Sequence, residues 1–413
     1  MGDRHLQPTG LLLVASASQL AVSVSQQGLS VLSVAFKAYA HLGIGQMGLL
    51  FATVALGAVI GTLPAGAALD AVGTRRVAFG AGAASLLWWG ILAVVLPRNF
   101  WLLEALLALI GCGLPALSLT GTMAVSQDYQ NSGHQGLALG IRQAATPLGG
   151  IVAAALFPWL VERWSLGAVL LLIAVNVGGW TLGLAWMLPA RRRRPWSMPF
   201  SGAQTVLGPF SRLQGLMLAS FLLSPGQYAL LTYALLDLHD RWHVAMTTAG
   251  PLLAVALVGG FATRIVMGRV ADGGRPIRRL MSWVVLEGVV ALVAWTLLPT
   301  GPSVPVLTVV FFALGCGLDG WNALLTAWVV ETTVRSEQGI ALALIGVSAF
   351  VGIVVFLPLF GLLVRQYASY RPAWVVLATL YAAGFGIIRW TPVRSGVDAS
   401  SERTDSAASK RRK

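Results

Sequence analysis

Apolar runs of membrane-spanning length recur from one end of this chain to the other, at 11–36, 46–69, 77–96, 101–125, 136–160, 166–188, 213–236, 246–268, 280–298, 304–330, 339–364 and 373–391. Hydrocarbon offers no partner to a backbone N–H or C=O, so a segment that crosses it must satisfy those groups itself. A helix of about 20 apolar residues does so. The pattern predicts an all-α integral membrane protein with twelve spans. Only 10% of the residues are charged, against roughly 25% in soluble domains.

An even number of spans puts both ends on one face, and basic residues identify that face. Arg75 and Arg76, Arg191 to Arg194, Arg269 to Arg279 and the C-terminal basic run all fall on it, whereas the opposite loops hold isolated cations such as Arg98 and Arg163. Translocated short loops are depleted in Lys and Arg, so both termini are expected in the cytoplasm of a bacterial-type inner-membrane protein. The net charge of +13 follows from this sidedness and is not a nucleic-acid footprint. The first run continues past the small-residue pattern "ASA" at 15–17 and is read as a span rather than a cleaved signal.

The chain divides into residues 1–188, a first six-helix bundle; 189–212, a cytoplasmic linker; 213–391, a second bundle; and 392–413, a basic tail expected to be disordered. The bundles repeat each other. "LIGCGLPALSLTGTMAVSQD" at 109–128 aligns with "ALGCGLDGWNALLTAWVVET" at 313–332, which sets Asp319 opposite Pro115. "GAALDAVGTRR" at 66–76 likewise matches "GRVADGGRPIRR" at 268–279. Parallel repeats of this kind occur in one class of transporter.

These motifs carry a resemblance to the major facilitator superfamily. Its signature between the second and third helices is matched by Gly66, Asp70, Gly73, Arg75 and Arg76, with Ala71 and Thr74 as departures; Gly268, Asp272, Arg278 and Arg279 keep a weaker copy. "GIRQAATPLGG" at 140–150 is similar to the family's helix-five motif, with Thr146 in place of a usual Gly. The resemblance implies two bundles rocking about a central site, with the signature loop locking the outward-facing state. The resemblance assigns that role to Asp70 and Arg75 here.

Spacing points to the path. Ser16, Gln19, Ser23, Gln26, Ser30, Ser33 and Lys37 follow one another at intervals of three and four, so they form one stripe along the first helix. Ser220, Ser224 and Gln227, next to Tyr228, do the same in the seventh. The tenth helix offers Asp319, Trp321, Asn322 and Thr326, and the fourth offers Ser118 and Thr122. Interhelical hydrogen bonding explains one or two such residues, whereas seven in register favour a wet cavity.

Ionisable side chains inside spans are costly and need a cavity or a partner. Asp319 lies at mid-helix and is expected to titrate during transport. Arg142, beside Gln143, either meets an anionic substrate or snorkels to the interface. Arg264 and Glu287 lie at similar depth on consecutive helices and are expected to pair as a structural ion pair. Cys112 and Cys316 are expected to be small packing residues. With no His or Cys cluster, phosphate loop or nucleophile elbow, no enzyme activity, metal or cofactor is predicted.

The sequence therefore predicts a monomeric secondary transporter whose partners are a small-molecule substrate and the bilayer. Gln26, Ser30, Arg142, Gln143, Gln227, Tyr228, Asp319, Trp321 and Asn322 are its candidate binding or coupling residues. Proton-coupled uptake of a small organic anion is favoured by the interior arginines. Efflux of lipophilic or cationic compounds, favoured by Asp319, and a non-transporting solute sensor are the alternatives.

Overall fold

The computed structural model describes residues 8–41, 44–130, 132–189, 203–244, 246–299, 301–334 and 337–391. Most of the expected linker and the whole tail at 392–413 lie outside them. The first half contains α1 (Pro8–Ala40), α2 (Ile44–Val72), α3 (Thr74–Val95), α4 (Phe100–Asp128), α5 (Gln135–Arg163) and α6 (Leu166–Met187). The second contains α7 (Ala203–Trp242), α8 (Met246–Asp272), α9 (Ile277–Leu297), α10 (Val304–Asp319), α11 (Trp321–Thr332), α12 (Gln338–Tyr367) and α13 (Arg371–Trp390). Among the described residues, twelve helical segments are long and apolar enough to cross a bilayer, with α10 and α11 forming one span over Val304–Thr332. The seventh helix runs farther than its apolar core suggested, so residues 203–212, read as linker, are helical.

That single interruption has a local cause. The carbonyl of Leu318 accepts from the Trp321 indole at 2.9 Å and the Tyr381 hydroxyl at 3.2 Å, and the carbonyl of Asp319 accepts from Arg264 Nε at 2.9 Å. Side chains thus compete for the oxygens that would continue the helical ladder, and the helix breaks at Gly320.

The two halves pack by one scheme. In the first, α1 lies on α5, α2 on α4 and α3 on α6; in the second, α7 lies on α12, α8 on α10 and α9 on α13. The shared "GCGL" stretch explains the middle pair. A Cβ on Gly111 would collide with the Val54 carbonyl of α2, and one on Gly315 would collide with Ala256 of α8. Backbones touch at both crossings, with the free cysteines Cys112 and Cys316 beside them. Small-residue contact of this kind holds helices together where lipid removes any hydrophobic drive.

The outer helices present apolar side chains to the surroundings. Trp101, Trp159 and Trp164 stand exposed near the face of loops 96–99 and 164–165, and Trp186 and Trp390 near the opposite one. Tryptophans gather at the two membrane–water boundaries because the ring is apolar and its N–H polar. The face carrying the loops at 73 and 273–276 is called the motif face below, and its opposite the far face.

One buried carboxylate was not anticipated. Asp237 lies past the predicted end of the seventh helix, yet it is 0% exposed, and its Oδ2 accepts from Trp295 Nε1 at 3.0 Å and Trp374 Nε1 at 2.8 Å. Burial pushes its pKa up from 3.8 to about 6, against the opposing pull of Arg241 and the two indole donors. A raised folded-state value means the charged form penalises folding above about pH 6, and the penalty fades as pH falls toward 3.8. Asp237→Asn should therefore be more stable than wild type at pH 7.5. Its advantage should shrink by ~1.4 kcal/mol per pH unit below about 6, as read by unfolding of the two proteins in detergent across pH.

Candidate functional site

The halves meet along two symmetry-related seams, α5 on α8 and α2 on α12. On the motif face each seam is fastened by a signature aspartate. Asp70, at the end of α2, accepts from the Gly339 N–H at 2.9 Å and the Ile340 N–H at 2.8 Å, the first amides of α12. Asp272, at the end of α8, accepts from the Gly136 N–H at 2.7 Å and the Leu137 N–H at 2.8 Å, the first amides of α5. The first four N–H groups of a helix lack intrahelical partners and carry the positive end of its dipole, so a carboxylate is stabilised there.

Glycines let the carboxylates reach those amides. A Cβ on Gly136 would stand 2.6 Å from the Gly268 carbonyl, and one on Gly66 would stand 2.5 Å from the Gly339 carbonyl. Gly73 has φ 85°, a left-handed conformation that turns the chain from α2 into α3. Arg75 lies over the Phe79 ring, 5.9 Å from its centre, while Arg76 and Arg278 are exposed. Among the described residues the amide bonds of the fastening are made by Asp70 and Asp272, and Arg75 makes none of them.

The signature in the sequence showed the two aspartates but not what they grip. That signal was present: "QGLAL" at 135–139 opens α5 and "QGIAL" at 338–342 opens α12, a third repeat whose offset lies within one residue of each of the others.

Deeper in the seams lie two buried guanidinium groups. Arg142, on α5, is 1% exposed. It donates to Thr122 Oγ1 at 2.7 Å, to Gln19 Oε1 at 2.9 Å and to the Ser118 carbonyl at 2.5 Å. Gly121 makes room for it, since a Cβ there would stand 2.7 Å from Arg142 Nη2. All three acceptors are neutral, and among the described residues no carboxylate pairs with Arg142. The polar stripe of α1 therefore reaches the site through Gln19, which also receives the Ser118 hydroxyl at 3.1 Å. Gln26 is half-buried two turns along, and the side chain of Ser30 lies outside the described residues.

Arg264, on α8, is also 1% exposed and answers to Asp319. Its Nη2 donates to Asp319 Oδ1 at 2.6 Å, its Nε donates to the Asp319 carbonyl, and its Nη1 donates to the Gln143 carbonyl of α5. The expected Arg264–Glu287 pair does not form. Equal depth was a poor guide because α8 packs on α10 and α5, whereas α9 packs on α13 and α10, so α8 turns Arg264 away from α9.

The other candidates fall around this pair. Gln143 Nε2 donates to Thr326 Oγ1 at 3.2 Å, a second link between the halves. Asn322 Nδ2 donates to Gln227 Oε1 at 3.3 Å. Tyr228 is 38% exposed though it lies well inside the span, and it stands close enough to Asp319 and Arg264 to feel both charges. Trp321 is 1% exposed, with its indole N–H donating to the Leu318 carbonyl at 2.9 Å. Among the described residues no group of His, Cys, Asp or Glu is placed to hold a metal ion.

Twelve spans in two matching bundles, fastened to each other on one face around buried charge, define a polytopic membrane protein. The family model of the Major Facilitator Superfamily matches residues 15–332 and 216–412, and the chain belongs to that family. It is a membrane transporter and not an enzyme. No curated protein matches the chain in a sequence comparison. Solved structures do match. FucP, a superfamily transporter in the outward conformation, is 14% identical over 94% of this chain and 99% of its own, with a TM-score of 0.74. The proton:xylose symporter XylE bound to 6-bromo-6-deoxy-D-glucose is 13% identical over 94% and 97%, with a TM-score of 0.74. The human organic anion transporter MFSD10 is 16% identical over 93% and 100%, also with a TM-score of 0.74. At these identities the likeness is one of fold.

Proposed function

We propose that the protein moves a small organic anion inward by alternating access, coupled to protons, with Arg142 as the group that meets the anion. The observation that carries this reading is a fully buried guanidinium held only by neutral acceptors. An unpaired charge in a low-dielectric interior costs several kcal/mol, and a substrate carboxylate would offset that cost. Arg142 Nε has no partner, so a donor remains for it. The counter-reading, a cation bound at Asp319, is weakened because Arg264 already neutralises that carboxylate.

On this reading both termini are cytoplasmic, the protein works as a monomer in a bacterial-type inner membrane, and the motif face is the cytoplasmic one. The fastenings at Asp70 and Asp272 then hold the transporter open to the far side. Gln143 and Thr326, joined across the seam, part when the halves rock, and Gln227, Tyr228 and Asn322 form the opposite wall of the site.

A panel of benzoate, lactate, succinate, glucuronate, xylose and tetraphenylphosphonium, screened for thermal stabilisation in detergent, tests this. At least one carboxylate is expected to stabilise wild type, with its apparent affinity at least tenfold weaker in Arg142→Gln and partly retained in Arg142→Lys. Stabilisation by tetraphenylphosphonium alone would transfer the assignment to Asp319 and to export.

A further inference from the structure

Among the described residues, Glu287 is the acidic side chain near the middle of the structure with no role so far. It lies at the midpoint of α9 (Ile277–Leu297), at the edge of a stripe that includes Trp283 and Val290, 60% and 61% exposed on the lipid side. Its Oε2 is buried and without a partner. The carboxyl fits a notch cut by glycine: a Cβ on Gly317 of α10 would stand 2.5 Å from Glu287 Oε2 and would also overlap the backbone of Gly288. The titratable groups facing it are the Cys316 thiol from α10 and the Tyr381 hydroxyl from α13, with Asp319 beyond them. The cation that α8 could supply, Arg264, is spent on Asp319 and the Gln143 carbonyl.

A carboxylate with hydrocarbon on one side, backbone on the other and no cation in reach is poorly solvated, and such groups neutralise instead. Asp319, two residues along the chain from Gly317, is in the opposite situation, because the guanidinium at 2.6 Å stabilises its charge. We propose that Glu287 is a proton-holding site of the second bundle, loaded while the motif face is fastened, and that Asp319 stays ionised in the same state. The two carboxyls divide the work expected of Asp319 alone: Asp319 holds the charge that fixes Arg264, and Glu287 holds the proton. Its use in transport rests on the proton-coupled reading above; the protonation itself does not.

Two measurements on the full-length protein in detergent, without any solute, test this. In infrared difference spectra at pH 7, a protonated-carboxyl C=O band is expected in wild type and in Asp319→Asn and absent in Glu287→Gln. Dicyclohexylcarbodiimide, which reacts with protonated carboxyls in apolar surroundings, is expected to leave its mass adduct on Glu287 of wild type at pH 7. The wild-type adduct decides the matter even if Glu287→Gln fails to fold. An adduct on Asp319 and not Glu287, or labelling of Glu287 only below pH 5, would overturn the proposal. Because neither readout needs substrate, failure of the anion panel leaves this result standing, and the reverse holds too.

Discussion

Asp319→Ala is expected to destabilise the protein by about 3–5 kcal/mol and to end transport, because it strands the Arg264 guanidinium in the seam without its counter-charge. Arg264→Ala should cost as much for the mirror reason, leaving Asp319 buried and unpaired. The pair itself is not a source of stability on that scale, since two charges lose their hydration to meet. The double variant Arg264→Met with Asp319→Leu should therefore recover most of the loss while transport stays absent. Denaturant unfolding of the four proteins in detergent measures the cycle, and a double variant no more stable than the singles would show that the site depends on these charges for folding as well as for function.

Gly136→Ala is expected to open the motif face. Its methyl would stand 2.6 Å from the Gly268 carbonyl, and both groups belong to helix backbone that has no soft way to yield. Moving α5 off α8 also breaks the two amide bonds to Asp272, each a charge-assisted bond worth about 1.5–3 kcal/mol. A loss on that scale moves a two-state population at least tenfold. Alkylation of a cysteine introduced beside the seam, at Leu137, should accelerate accordingly in Gly136→Ala. Gly80→Ala is the control, because nothing lies within 4 Å of a Cβ at that position, and an equal rise in both variants would sink the account.

How much of this the sequence showed differs from residue to residue. The twelve spans and the two halves were legible because apolar length and repeated motifs are properties of the chain itself. Glycines that touch at helix crossings were legible in "GCGL" for the same reason. Depth along a helix could also be read, and it set Asp319 and Arg264 inside their spans, where both are buried. Which way a helix turns its charges could not: Arg264 and Glu287 share a depth but not a seam, and only the packing of α8 against α10 and α5 reveals it. The polar stripe of α1 pointed to the right helix but not the right contact, since Gln19 reaches Arg142 while Gln26 lies two turns off. Asp237 was misplaced because the apolar run ends before the helix does.

The reciprocal fastening on the motif face also constrains how the halves can part. Asp70 belongs to the first half and grips α12 of the second; Asp272 belongs to the second and grips α5 of the first. One such bond alone would leave a pivot about which the bundles could swivel while still attached. Two, placed on opposite sides of the pseudo-twofold axis, forbid swivelling and leave tilting as the motion that breaks both together. On the alternating-access proposal, half-released states are then expected to be poorly populated, so the transporter should switch as a two-position latch, with a leak past a partly open face suppressed by geometry instead of by a tight plug.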